Sequence, residues 1–392
     1  MSADNLVIAN LFLLLFLGLA DNQMMAALLP AFVKSLHVSI EKAGLLVAIY
    51  SLGAAAAAFV SGSLSDVYGR RWFLQGGMAL FAVASCLSWR STTLAELAGA
   101  RALTGLAAGT LSTCTVAFAG DWFAYEVRGR AIGLISSAYF VAPVAGVPAA
   151  ALIADRFGWQ RTFLAIAAVA ALATFASLTL PKETRKTIAT SHPWRRSLGA
   201  FRGFFARRDT FAALGIAFLV SGGLVGFITY IGQWLNNGFA LSTTMIGLIF
   251  AYGGGMAVLG APLGGMLSDR YGKRAVSLAS SLVMALAVAA VPFLGWGAAL
   301  LVAFGMVSLA AAFRQGPLTA LMTEMVPAAE RGTFIALRNI SSQIGIGATV
   351  SVGGILYGRS GYGAVTGLCA TMTALVSVLL FTHIMEPMPS QE

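Results

Sequence analysis

An all-α membrane protein of twelve transmembrane helices, arranged as two pseudo-symmetric bundles of six, is the fold class this sequence predicts. Three observations carry the prediction. The 392-residue chain is 58% hydrophobic and only 10% charged, with a mean hydropathy of +0.83, whereas a soluble domain carries roughly a quarter of its residues as Asp, Glu, Lys or Arg. The apolar residues fall in long continuous runs, not in the short alternating segments of a barrel. Two loop sequences also recur in the second half at one common offset.

A helix needs about 20 apolar residues to cross a bilayer. Runs of that kind lie at 6–30, 43–63, 72–91, 95–119, 130–154, 161–181, 210–235, 243–265, 275–294, 297–325, 333–357 and 363–385. The 44 glycines fit helices that must approach one another closely. One long polar connection, 182–209, separates an N-terminal half (1–181) from a C-terminal half (210–392). It is strongly basic, and Phe201, Phe204 and Phe205 are interleaved in its second part. It reads either as an amphipathic helix on anionic lipid or as a plain linker.

The net charge of +10 does not point to nucleic acid, because of where the basic residues sit. One set of loops holds only Lys34, Lys42, Arg90, Arg156, Arg161 and Arg359. Apart from Arg101, Arg314 and Arg338 within spans, every other Lys and Arg falls in the opposite set or the termini. By the positive-inside rule that second set is cytoplasmic. This predicts a multi-pass protein of the cytoplasmic (inner) membrane with both termini inside and the lipid bilayer as its surroundings. The first apolar run is too long for a cleavable signal and lacks a small-residue cleavage pattern.

Enzyme chemistry finds no support. Cys86, Cys114 and Cys369 all lie in apolar runs without metal-ligand spacing and read as small core residues. His37, His192 and His383 are far apart. No metal site, cofactor or nucleophile–base cluster is expected. The 14 methionines, Met24 and Met25 among them, are scattered, which fits adaptable packing better than soft-metal transport.

The repeat is specific. GSLSDVYGRR at 62–71 matches GMLSDRYGKR at 265–274 when Gly62 is laid on Gly265, with seven of ten positions identical. The same offset lays Asp121 on Glu324 and Arg128 on Arg331. Gly62, Gly69 and Gly272 permit tight turns. Asp66 can pair with Arg70 or Arg71, and Asp269 has Lys273 in the corresponding place. The repeated acids favour a conformational gate over an incidental acid in a positive-inside turn. Parallel duplications of this kind place a substrate site at the interface of the halves.

Within the first span, Asp21 is an anomaly. A charge at mid-membrane costs at least roughly 2.5–3.5 kcal/mol, so it persists where it is paired, wet or titrating. At 100° per residue Asp21 shares a stripe with Asn10, Gly18, Met25 and Leu28, with Asn22 and Gln23 turned off it. Asp21 lies roughly 13 Å from the outer end of its helix and Arg101 about 9–10 Å from the outer end of the fourth, so an ion pair is expected. Three roles stay open for Asp21: proton coupling, a structural pair, or direct substrate contact. Arg314 lies roughly 15 Å from the cytoplasmic end of its span, too deep to snorkel easily, while Arg338 can still snorkel. Tyr230, Gln233 and Trp234, together with Gln315 beside Arg314 and Asn339 beside Arg338, are further cavity candidates, or partners of neighbouring helices. One acid against three intramembrane bases favours anions or amphiphiles with an anionic head.

The loop GSLSDVYGRR closely resembles the signature between the second and third helices of the major facilitator superfamily, G-x-L-a-D-r-x-G-r-k. RALTGLAAG at 101–109 resembles its fourth-helix pattern, R-x-x-x-G-x-x-x-G, and GWQRTF at 158–163 is similar to the g-W-r-x-x-F that opens its sixth helix. APVAGVP at 142–148 resembles the fifth-helix antiporter pattern G-P-x-x-G-G, with Ala142 and Val147 in place of two glycines. The branch most resembled is the drug:proton antiporters. The resemblance implies the major facilitator fold and alternating access by two six-helix bundles, usually as a monomer. It implies a cavity lined by the first, fourth, seventh and tenth helices, and a part for Arg101 in proton coupling. The expected function is proton-coupled export of a small amphiphilic or anionic organic compound. Uptake of an organic anion and translocation of a lysolipid-like molecule are the alternatives, ahead of a membrane receptor or enzyme.

Overall fold

The computed structural model describes residues 3–182, 201–327 and 330–384. The stretch of the basic connection from 183 to 200, with His192, lies outside the described residues. Twelve helices among the described residues are long and apolar enough to cross a membrane. They are α1 (Ala3–Ser35), α2 (Ile40–Tyr68), α3 (Arg70–Arg90), α4 (Leu94–Trp122), α5 (Glu126–Phe157) and α6 (Trp159–Ser177) in the first half. The second half holds α7 (Arg208–Phe239), α8 (Thr243–Tyr271), α9 (Lys273–Ala290), α10 (Ala298–Glu324), α11 (Arg331–Ser360) and α12 (Tyr362–His383).

Single glycines make the sharpest joints. Gly69 between α2 and α3 has φ of 93°, and Gly158 between α5 and α6 has 86°. Their repeat partners Gly272 and Gly361 have 91° and 75°. A Cβ is strained at such angles, so the repeated glycines are required by the backbone itself. Side chains start other helices: the Ser39 hydroxyl accepts from the Lys42 amide, and Thr93 with Glu96 forms a reciprocal capping box at α4.

Helix α5 is not uniform. Residues Ala142–Gly146 form a π-helical turn, with the Val147 amide donating to the Ala142 carbonyl. Pro143 lies inside this turn and Pro148 just after it, and neither supplies an amide to the ordinary ladder, so a wider turn forms locally. The degenerate antiporter-like stretch at 142–148 is therefore this π turn, and its remaining glycine, Gly146, lies against Ala20 and Phe16 of α1.

By contact the chain forms two compact units. One comprises α1–α6 together with Gly232–Ala251; the other comprises the rest of α7 and α8 and α9–α12. In the first, α4 packs on α2 and α3, and α3 on α6; in the second, α9 packs on α10 and α12. Gly232–Ala251 is held to the first unit by close approach: Gly232 abuts the Ala26 carbonyl, Gly247 abuts Ala151, and the Thr244 hydroxyl donates to Asp155 at 2.8 Å.

Residues 201–206 form a short helix ahead of α7. Phe204 is buried in the core of the second unit and meets Phe334 at a ring separation of 5.4 Å, while Phe205 is exposed. This part of the connection thus splits its aromatics between protein and surroundings. Phe204→Ala is expected to lower stability by about 3 kcal/mol through the lost packing, and Phe205→Ala to stay within about 0.5 kcal/mol, measured by denaturant unfolding of the purified protein.

Candidate functional site

The site grows from the four-residue spacing of Arg101, Gly105 and Gly109, which puts all three on one face of α4. A Cβ at Gly105 would run into the Tyr50 carbonyl, and one at Gly109 into the Ala54 carbonyl. Glycine lets the α2 and α4 backbones touch, and the touch lays the Tyr50 ring against Arg101, with the guanidinium carbon 4.6 Å from the ring centroid. The Tyr50 hydroxyl donates to the Gly18 carbonyl of α1 at 3.2 Å. Gly18 in turn lies against Ala108 of α4. With both helices brought close, Arg101 Nη1 donates to Asp21 Oδ2 at 2.6 Å, and both side chains are fully buried.

The pair is incompletely satisfied. Among the described residues, Asp21 Oδ1 and Arg101 Nε and Nη2 find no hydrogen-bond partner. A buried ion pair recovers its desolvation only when its remaining donors and acceptors are also met. Tyr50 was not marked in the sequence, because a tyrosine in an apolar run looks like core; the α4 glycines that abut its backbone are the signal that could have found it.

The other cavity candidates separate. Met25 is fully buried in α1. Asn10 is buried too, and donates to the Leu6 carbonyl at 3.0 Å and to Thr179 Oγ1 at 3.4 Å, beyond the end of α6. It therefore meets a different helix from Asp21. The Tyr230 hydroxyl donates to the Val350 carbonyl of α11 at 2.6 Å. Gln233 donates to Asn237 one turn on at 2.8 Å, and its buried Oε1 has no partner among the described residues. Arg314 turns into its own bundle, with Nη1 at 3.5 Å from Ser281 Oγ of α9, while neighbouring Gln315 is exposed. Arg338 is half-buried and donates to Thr319 of α10 at 3.2 Å, beside an exposed Asn339.

At the loop motifs the two halves use equivalent residues differently. Arg70 pairs with Asp66 at 2.7 Å and with Asp121 at 2.6 Å, and also donates to the Ala117 carbonyl. Arg71 donates to the Leu178 carbonyl at 2.8 Å and Arg128 to the Phe123 carbonyl at 3.3 Å. In the second half Lys273, the counterpart of Arg70, pairs with Glu324 at 2.5 Å, while Asp269 is exposed. Arg331 donates to the Val326 carbonyl at 3.4 Å, repeating the Arg128 contact. Gly62 faces Thr113 at ordinary contact distance. Exposed pairs contribute little to stability, so Lys273→Gln is expected to shift it by less than about 1 kcal/mol in denaturant unfolding.

A duplicated twelve-helix membrane protein with a buried acid–base pair and repeated charged loops has the make-up of a secondary transporter. The chain belongs to the Major Facilitator Superfamily: the family's sequence profile matches residues 11–260 and again 214–392. It is 25% identical over 364 residues to the uncharacterized MFS-type transporter YwfA of Bacillus subtilis, covering 92% of this chain and 87% of that protein. It is 26% identical over 263 residues to a chloramphenicol resistance protein of Streptomyces lividans, covering 67% and 66%. To the multidrug resistance protein Stp of Mycobacterium tuberculosis it is 25% identical over 391 residues, covering 86% and 72%. In fold it resembles a D-xylose-proton symporter, with a TM-score of 0.78, 17% identity and 98% of each chain covered. The protein is a multi-pass membrane transporter of small molecules, not an enzyme.

Proposed function

We propose that the protein is a proton-coupled exporter of a small amphiphilic or anionic organic compound, working by alternating access. Asp21 takes up and releases the proton, and Arg101 is its charge partner. The observation that carries this reading is the fully buried Asp21–Arg101 pair at 2.6 Å, which ties α1 to α4. Both helices belong to the first half, so in this reading the rocking of the halves is accompanied by a local shift of α1 against α4 that parts Asp21 from Arg101 and leaves a buried carboxylate, which gains by taking a proton. Substrate and proton then compete for one conformational change.

The six-helix halves 1–181 and 210–392, joined by the basic connection 182–209, are the moving bodies in this reading, within a monomer whose two termini face the cytoplasm. Arg70 with Asp66 and Asp121, and Lys273 with Glu324, act as exposed latches that hold a conformation and still open readily. Met25, Gln233, Gln315, Arg338 and Asn339 supply substrate contacts. The anionic preference rests mainly on Arg338, because Arg314 is engaged inside its own bundle. Export is favoured by the resistance proteins among the relatives.

The test is substrate-driven pH change in proteoliposomes, run across a panel of organic anions and cations. Proton movement opposite to that of an anionic amphiphile supports the reading. Proton and anion moving together mean uptake by symport. Substrate movement without any proton movement overturns coupling.

A further inference from the structure

The two halves differ sharply at one interior position. In the first half Leu74 and Met78 of α3 and Leu111 of α4 are buried together in an apolar core. The offset that lays Gly62 on Gly265 lays these three on Ser277, Ser281 and Arg314. All three of the latter are buried, Arg314 to within 1% of full burial. The duplicated fold therefore does not need a charge here, and an apolar trio fills the same place in the first half.

What stands in the second half is chemically incomplete. Arg314 Nη1 reaches Ser281 Oγ at a marginal 3.5 Å, and that hydroxyl itself donates to the Ser277 carbonyl at 2.7 Å. Arg314 Nη2 and the Ser277 hydroxyl have no partner among the described residues. Nor does any carboxylate among them pair with Arg314. Arg274 donates to the Leu380 and Phe381 carbonyls, which sets the antiparallel register of α9 and α12 and brings Ser377 level with Ser277. Ser377 is buried and its hydroxyl likewise lacks a partner. A guanidinium keeps its proton in proteins, and an uncompensated buried charge is strongly destabilising. Donors that lack acceptors around an unneutralised cation call for a small anion.

We propose that Arg314, Ser281 and Ser277, with Ser377 of α12 at the same depth, form an anion site inside the second bundle, which takes a small monovalent inorganic anion of the size of chloride. The site is separate from the Asp21–Arg101 pair, lies within one bundle, and anchors α10 to α9. An anion that binds the folded protein stabilises it in a saturable way.

The probe is chloride, exchanged for gluconate at constant ionic strength so that screening does not change, with the thermal unfolding midpoint of the detergent-purified full chain as readout. The wild type should gain stability with chloride and saturate. The double variant Arg314→Leu/Ser281→Met, which installs the residues of the first half, should lose the response while remaining folded without chloride. A flat wild-type titration overturns the proposal, and so does an equal response in the double variant, which would put the anion elsewhere. If that variant does not accumulate, Ser281→Ala decides: a weakened half-saturation supports the site, and an unchanged one overturns it.

Discussion

Gly105→Val should leave no folded protein to purify. Its Cβ would run into the Tyr50 carbonyl and crowd the Tyr50 Cα as well. All of these are backbone atoms of a second helix, so no side chain can swing away to make room. Helices in lipid associate through close van der Waals packing, since lipid tails are as apolar as the side chains they meet. Prising α2 from α4 therefore forfeits the contacts along the Gly105–Gly109 face with little in return. The expected loss exceeds about 4 kcal/mol, at the extreme end for one substitution, and Gly105→Ala should already be severely destabilised. Gly120 on the same helix is the control. A Cβ there meets nothing within 4 Å, so Gly120→Ala should be neutral or up to about 1 kcal/mol stabilising through helix propensity. Yield and monodispersity on size-exclusion chromatography check both.

Arg101→Leu should be the most damaging change at the charged pair. It leaves Asp21 fully buried among helices with no counter-charge, for an expected loss of about 3–5 kcal/mol at neutral pH. Acidification should restore part of that stability, because a protonated carboxyl is less costly to bury than a carboxylate. Asp21→Asn leaves the Arg101 charge unbalanced but keeps an amide oxygen able to accept from it, so its loss should be substantial and still the smaller of the two. The double variant Asp21→Asn/Arg101→Leu should recover most of what Arg101→Leu loses, because no isolated charge remains. Denaturant midpoints of the four proteins give the coupling directly. If Arg101→Leu is as stable as the wild type, the pair does not govern the packing of α1 on α4.

The sequence carried the architecture well because the bilayer imposes it. Long apolar runs have one stable solution in lipid, and the repeat marks the glycine joints Gly69 and Gly272, both of which have positive φ. The meeting of Asp21 with Arg101 was also legible, because an intramembrane acid needs a partner and depth left one basic residue on the fourth span. Helix faces were less legible. Asn10 and Asp21 share a stripe by rotation, yet α1 runs for 33 residues and meets α6 near one end and α4 near the middle. A stripe fixes a direction, and the neighbour along it changes with depth.

Arg314 shows a second limit. Hydropathy and depth mark it as anomalous but do not say which neighbour it turns to, and the structure places it against α9. Laying the halves over each other would have pointed there, since its counterpart Leu111 is core. The π turn in α5 was hidden for another reason. Pro143 and Pro148 announce a disturbed helix, but whether it kinks, breaks or widens is decided by packing against α1 at Gly146.

The central claim is that Asp21 carries the transported proton. Its most direct test is Asp21→Asn in proteoliposomes, recording exchange of a labelled substrate and internal pH together. The account predicts that exchange continues while substrate-driven proton movement disappears. Proton movement that persists unchanged in Asp21→Asn would contradict it and turn attention to the loop acids Asp66, Asp121 and Glu324.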